Sequence, residues 1–181
     1  MSIQFDITES NLINGVKIVT PSISEDARGN IWTSYTTDSI KKIIPKDLDF
    51  KHDKFSKSKK NVLRGLHGDH KSWKFVTCVY GEIYQVVADL REESDSLLKW
   101  QSFDISNINQ KLILIPPGVD NAYYVRSKEA IYHYKLAYHG NYIDADEQFT
   151  VSWDDPRLNI SWPTKEPILS IRDAEVHNGK N

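Results

Sequence analysis

The chain has 181 residues, enough for one domain with a sizeable core. Its 23 basic and 25 acidic residues leave a net charge of −2, which gives no global pull toward nucleic acid or an anionic membrane, so any affinity for anions has to be local. The one cysteine, Cys78, excludes an internal disulfide; inside the apolar run 75–79, with no charged neighbour to lower its pKa, it reads as a core residue of a reducing compartment rather than a catalytic thiol.

In chain order, the N-terminal residues Met1 to Asp6 carry neither a basic start nor an apolar stretch, so no signal peptide is expected. No apolar run reaches the roughly 20 residues of a membrane helix, and a cytoplasmic location is expected. Segments 16–20, 30–35, 62–67, 74–79, 83–90, 112–115, 122–125, 131–138 and 148–153 are rich in Val, Ile, Tyr, Phe, Trp and Thr and predict strands. The turn clusters Tyr80-Gly81-Glu82, Pro116-Pro117-Gly118 and His139-Gly140-Asn141 punctuate them. Residues 37–42 predict a short helix before Pro45, residues 106–110 a turn, and the polar end, 174–181, a frayed tail. Short strands at this spacing predict an all-β sandwich or barrel. No repeat or linker divides the chain, so residues 1–181 form a single domain with its β core at about 15–163 and a C-terminal segment at 164–181.

Alternation assigns faces. Tyr132, Tyr134, Leu136 and Tyr138 share one side of their strand, opposite His133, Lys135 and Ala137; Ile83, Gln85, Val87 and Asp89 share another. An inward face carrying Tyr and Gln reads either as the lining of a small-ligand cavity or as a core whose tyrosine hydroxyls reach the rim.

The chemistry concentrates in Asn61-Val62-Leu63-Arg64-Gly65-Leu66-His67, with Lys74 seven residues on. A histidine can take a proton near neutral pH, and a neighbouring ammonium can stabilise the anion left behind. Such a base needs an acid to hold its tautomer, for which Asp173 is the candidate.

The segment Arg64-Gly65-Leu66-His67 followed by Lys74-Phe75-Val76-Thr77-Cys78-Val79-Tyr80-Gly81-Glu82 resembles the nucleotide-sugar 3,5-epimerases of the dTDP-4-dehydrorhamnose 3,5-epimerase family. Further matching pieces are Asp26-Ala27-Arg28-Gly29, Pro116-Pro117-Gly118, Tyr134-Lys135, Trp153-Asp154-Asp155-Pro156, Ile160-Ser161-Trp162-Pro163 and Leu169-Ser170-Ile171-Arg172-Asp173, so the resemblance runs from about Gly15 to Asp173. It implies a cupin-type β-jelly roll with a few short helices, a homodimer, and cofactor-free epimerisation. It also implies His67 as base paired with Asp173, Tyr134 as proton donor on the opposite sugar face, and Lys74 beside the sugar carbonyl. Arg64 contacts the diphosphate, and Arg28 reaches a nucleotide across the dimer interface. Lys54, Ser56, His52 and Tyr142 complete the nucleotide side, and Asn121 and Gln85 the sugar side.

Metal-binding cupins carry His-x-His with a glutamate four residues on. In this chain His67-Gly68-Asp69-His70 is spaced differently and Lys74 would repel a divalent ion, so no metal is expected.

Several positions depart from the rhamnose-pathway pattern: Gln85 stands where an aspartate is usual, Asn121 where a histidine is usual, His52 and Lys54 near places where glutamine and asparagine are usual, the loop after His67 is shorter, and two residues are inserted between Tyr138 and Tyr142. His67-Gly68-Asp69, Gln85-Val86-Val87 and Tyr134-Lys135-Leu136-Ala137-Tyr138 are similar to epimerases of GDP-linked 4-keto-heptoses in capsular polysaccharide pathways. That resemblance implies a GDP-linked sugar in preference to a dTDP-linked one, with C3, C5 or both inverted. The alternatives are a dTDP-4-dehydrorhamnose 3,5-epimerase, a nucleotide-sugar 3,4-ketoisomerase using His67 and His70, and a non-catalytic sugar-binding jelly roll.

Overall fold

The computed structural model describes residues 3–144 and 147–179. Thirteen strands dominate these residues: β1 (Phe5–Glu9), β2 (Lys17–Pro21), β3 (Ile23–Asp26), β4 (Gly29–Trp32), β5 (Phe50–Lys59), β6 (Leu63–Gly68), β7 (Trp73–Tyr80), β8 (Glu82–Asp89), β9 (Trp100–Ser106), β10 (Leu112–Ile115), β11 (Val119–Val125), β12 (Glu129–Ala137) and β13 (Phe149–Thr150). Two short helices, α1 (Thr37–Ile40) and α2 (Ile171–His177), and a 3-10 turn at Lys41–Ile43 complete them. This is the expected all-β jelly roll.

One antiparallel sheet runs β1-β2-β10-β7-β12-β5 and the other β13-β6-β11-β8-β9. Between them lies a core in which Val76, Cys78, Ile83, Val87, Ile105, Ile113, Tyr123 and Tyr132 interlock. Fully burying one such side chain is worth about 1.5–3 kcal/mol. The outer face of the first sheet (Val19, Phe75, Leu112, Leu114) is covered by Ile40, Ile44 and Leu48 around α1. The outer face of the second (Leu66, Val86, Ala88, Ala122) is covered by Val151, Leu158 and Trp162 from the stretch that follows β13. Both sheets are therefore buried on two faces, which is why 83–90 reads as a nearly continuous apolar run.

Several expectations need correction. The sequence gives no strand signal at β5, yet it is the longest strand and pairs with β12 over its length. His52, Lys54, Ser56 and Ser58 turn inward while Lys51, Asp53, Lys57 and Lys59 face out; past a register shift, Phe50 packs with the outer cluster around Ile40 and Phe75. Polar residues on both sides erase the hydrophobic alternation. Strands β1, β3 and β9 were likewise outside the expected set, and 148–153 contributes only the two-residue β13. The stretch 30–35 shortens to β4, paired with β3 in a separate ribbon.

The C-terminal residues do not fray from 174. The Ser170 hydroxyl accepts from the Asp173 amide at 3.1 Å and donates to the Asp173 carboxylate at 2.9 Å, a reciprocal cap that starts α2. The ring of His177 bonds Asp154 at 2.9 Å and fixes its other end. Residues 180 and 181 of the expected tail lie outside the described residues.

Candidate active site

A cavity of about 230 Å³ opens at one end of the sandwich, lined by side chains from both sheets. This is below the roughly 300 Å³ of pockets that enclose a drug-sized ligand, so it suits a sugar ring with its substituent outside. Tyr132, Tyr134 and Leu136 of β12 line it, which settles the reading of that face in favour of a cavity wall.

His67 comes from β6. In a regular strand Arg64 and His67, three apart, would face opposite sides. Opposite β11, however, Arg64 pairs with Tyr123 and His67 with Asn121, so β6 carries one extra residue. This bulge turns both side chains into the cavity. It requires Gly65: its φ is 118°, and a Cβ there would lie 2.6 Å from the Asn121 carbonyl oxygen. The Gly between Arg64 and His67 is thus part of the site's construction.

Asp173 reaches His67 although 106 positions separate them: Nε2 of the ring lies 2.6 Å from Oδ1. The link is made by backbone pairing. Ile168 donates to the Asn61 carbonyl at 2.8 Å, the Leu63 amide donates to Ile168 at 3.0 Å, and the cap of α2 then aims Asp173 inward. Burial works to raise the Asp173 pKa, but the hydrogen bond and charge of His67, aided by Ser170, outweigh it and hold the carboxyl below its ordinary value. With Nε2–H donated to Asp173, Nδ1 carries the lone pair.

Lys74 and Tyr134 project from the opposing sheet, on β7 and β12. Lys74 is 7 % exposed, and its ammonium lies 3.4 Å from the His67 carbonyl oxygen and 3.5 Å from Asp69. Burial pushes the Lys74 pKa down, and the charges of Asp69 and Asp120 oppose it. Burial also raises the Tyr134 pKa, so its phenol is protonated at neutral pH, while Lys54 and Arg64 pull the other way. Asn121 closes the floor, accepting at Oδ1 from Gln85 Nε2 at 2.5 Å and from the Tyr132 hydroxyl at 3.2 Å.

At the mouth, Lys54 donates to the Tyr142 hydroxyl at 2.5 Å, Arg64 Nε donates to Ser58 at 3.0 Å, and Ser56 shares a 2.7 Å bond with the Tyr123 hydroxyl. Burial works to lower the Lys54 pKa, but the hydrogen bond to Tyr142 together with the electrostatic pull of Tyr142, Tyr134 and Asp144 outweighs it and raises the value.

The structure brings together His67, Asp173, Lys74, Tyr134, Arg64, Lys54, Ser56, Asn121 and Tyr142. Three expected residues are not in the lining. Gln85 is fully buried behind Asn121. His52 sits behind the mouth, bonded to the Tyr138 hydroxyl at 3.0 Å and edge-on to Tyr142. Arg28 lies at the tip of the β3–β4 ribbon, its side chain 89 % exposed and clasped by Asp26.

Sequence reasoning assigned no site role to Tyr123, Asp69, Ser170 and Arg172, all of which line the cavity. For Ser170, the Ser-x-x-Asp spacing ahead of Asp173 was an available signal. Cys78 is buried and its thiol is pushed up to about 11 by desolvation, as a core residue should be. No helix among the described residues is long and apolar enough to cross a membrane.

The family model described as dTDP-4-dehydrorhamnose 3,5-epimerase matches residues 10–180. The chain is 34% identical over 166 residues to the dTDP-4-dehydrorhamnose 3,5-epimerase of Salmonella typhimurium, covering 90% of this chain and 89% of that protein. It is 32% identical over 167 residues to the dTDP-4-dehydrorhamnose 3-epimerase of Streptomyces niveus, covering 91% and 79%. The crystal structure of dTDP-6-deoxy-D-glucose-3,5-epimerase from Legionella pneumophila, in complex with dTDP-4-keto-L-rhamnose, superposes with a TM-score of 0.86 at 31% identity, covering 94% of this chain and 90% of that one. A match over nearly the whole length, on the same jelly roll, makes the chain an epimerase that belongs to the dTDP-4-dehydrorhamnose 3,5-epimerase family.

Proposed function

We propose that the chain inverts C3, C5 or both in a nucleotide-linked 4-keto sugar, with its own side chains as acid and base and no cofactor. The observation that carries this reading is the opposition of the two sheets: His67, held by Asp173 of α2, stands on one, and Tyr134 and Lys74 stand on the other across a sugar-sized cavity. A C4 ketone acidifies the protons on C3 and C5. Nδ1 of His67 takes one, and the C–H electron pair moves into an enolate whose charge falls on O4. Lys74 and Asn121 stabilise that oxygen. Tyr134 then gives its phenolic proton to the opposite face of the same carbon, and the phenolate, next to Lys54 and Arg64, is reprotonated from solvent as His67 releases its proton. Rotation of the sugar would present the second centre to the same pair.

Arg64, Lys54, Ser56 and Tyr142 are placed to hold the diphosphate where the cavity opens. Arg28 is too exposed to serve the cavity of its own chain, which fits a homodimer in which the ribbon serves the partner's site. A dTDP-linked 4-keto-6-deoxyhexose is the substrate class best supported by the relatives, one of which holds dTDP-4-keto-L-rhamnose. A GDP-linked 4-keto-heptose is the second reading, favoured by Gln85 and Asn121 standing where aspartate and histidine are usual. A 3,4-ketoisomerase gains little support, because His70 packs against Phe149 at 4.8 Å instead of lining the cavity.

Proton NMR in D₂O with each sugar tests all of this. Loss of the C3 and C5 signals with new epimers is expected from one of the two; loss at C3 alone makes the chain a 3-epimerase. Binding with no exchange would replace the enzyme by a sugar-binding module, and a keto group moved to C3 would restore the ketoisomerase.

A further inference from the structure

Asn121 lies directly across β6–β11 from His67, and its amide can present either an acceptor or a donor to the cavity. The structure decides which. Gln85 Nε2 donates to the Val86 carbonyl at 3.1 Å, and a carbonyl can only accept, so the nitrogen of Gln85 has to face that side. The same nitrogen meets Asn121 at 2.5 Å, and so has to meet the Asn121 oxygen. The Tyr132 hydroxyl adds a second donor to that oxygen. Both lone pairs of Asn121 Oδ1 are thereby occupied. Among the described residues no acceptor meets Asn121 Nδ2, which remains as a donor on the wall of the cavity that Lys74 also lines. The arrangement leaves Gln85 Oε1 buried without a partner. Such an orphan costs about 1–3 kcal/mol, and a side chain selected for stability alone would avoid it.

We propose that Gln85 is a positioning residue: through Asn121 it fixes an N–H donor, of unchanging charge, on the oxygen that becomes the enolate. This rests on the epimerase reading above. A chain of neutral amides anchored on a backbone carbonyl cannot lose or gain a proton with pH, and it pre-sets the donor before charge develops.

The test measures steady-state kinetics and the Asn121 side-chain amide resonance, assigned by its loss in Asn121→Ala. Gln85→Leu should lower kcat about 10–100-fold with KM changed less than about threefold. Asn121→Ala should do the same, and the double variant should fall no further. Gln85→Glu keeps the shape but inverts the logic. As a carboxylate it accepts, which turns Asn121 to offer its oxygen to the cavity; protonated, it donates again. The ratio of its kcat to that of the parent should therefore rise as pH falls, which a purely structural role would not produce. The Asn121 amide resonance should shift in Gln85→Leu. A kcat near the parent's, additive single variants, a flat pH ratio or an unmoved resonance would each overturn the proposal. If the parent exchanges no proton with either nucleotide sugar, the enzyme reading fails, and the amide resonance still decides the positioning of Asn121.

Discussion

The floor of the cavity and the β3–β4 ribbon hold functional side chains under opposite constraints. On the floor, His67 is held by Asp173, which is held by Ser170, and Asn121 is held by Gln85 and Tyr132. These groups come from two sheets and the start of α2 and are hardly free to move. On the ribbon, Arg28 is held, among the described residues, only by Asp26, two residues away, and its side chain is almost wholly in solvent. Groups that must meet a transition state are fixed in advance, because misplacement by an ångström costs orders of magnitude in rate. A group that only has to grip a flexible nucleotide can be ordered late, by ligand or partner.

The sharpest way to break this contrast is at the floor. His67→Asn and Tyr134→Phe should each lower kcat by about 10²–10⁴-fold with the melting temperature little changed. Full exchange and epimerisation by Tyr134→Phe would remove it as the donor. Next in size, Asp173→Asn should cost about 10²-fold in kcat, because an amide can either accept from or donate to Nε2, so it no longer fixes the tautomer, and being neutral it no longer stabilises the protonated ring. A loss confined to KM would show that the pair is a structural clasp.

On the ribbon, Arg28→Ala should raise KM by about tenfold and leave kcat within about twofold, the loss of one charge-assisted hydrogen bond to a phosphate. Mixing Arg28→Ala with His67→Asn chains would then restore part of the lost kcat/KM if the ribbon serves the partner's site. A collapse of kcat in Arg28→Ala alone would mean the ribbon belongs to the floor.

A last prediction concerns stability instead of rate. Asp120 is fully buried beside Lys74 and Asp69, neither of its carboxyl oxygens has a hydrogen-bond partner, and burial pushes its pKa up to about 7. Its folded pKa is above its unfolded one, so the stability tied to its neutral form is present below the unfolded value of 3.8 and is lost as pH rises through about 7. That loss is on the order of a few kcal/mol. Asp120→Asn should therefore gain stability relative to the parent as pH goes from 4 to 8, read by thermal denaturation. A difference that does not change with pH would place the proton elsewhere.

Much of this was legible in the sequence, and the unread parts have physical causes. Strands that face apolar cores declare themselves by Val, Ile and aromatic alternation, as β7 and β8 do. β5 does not, because a strand that lines a cavity needs Lys54 and Ser56 where a core strand has Leu and Val. Arg64 and His67 stood out by residue type, but nothing in a linear reading of alternation could put both on one face; the bulge at Gly65 does that. Gln85 was read as a sugar contact, and only burial shows it one layer behind.

By itself, then, the sequence determined the class of fold, the candidate groups His67, Tyr134 and Lys74, and the absence of a disulfide framework, because these follow from composition, local alternation and the family motifs. Tertiary structure decided which groups meet. It closed 106 positions between His67 and Asp173, set Tyr134 on the sheet opposite His67, and oriented Asn121 through Gln85. These are long-range contacts fixed by sheet register and by the matching of donors to acceptors, and neither quantity is written in the spacing of residues along the chain.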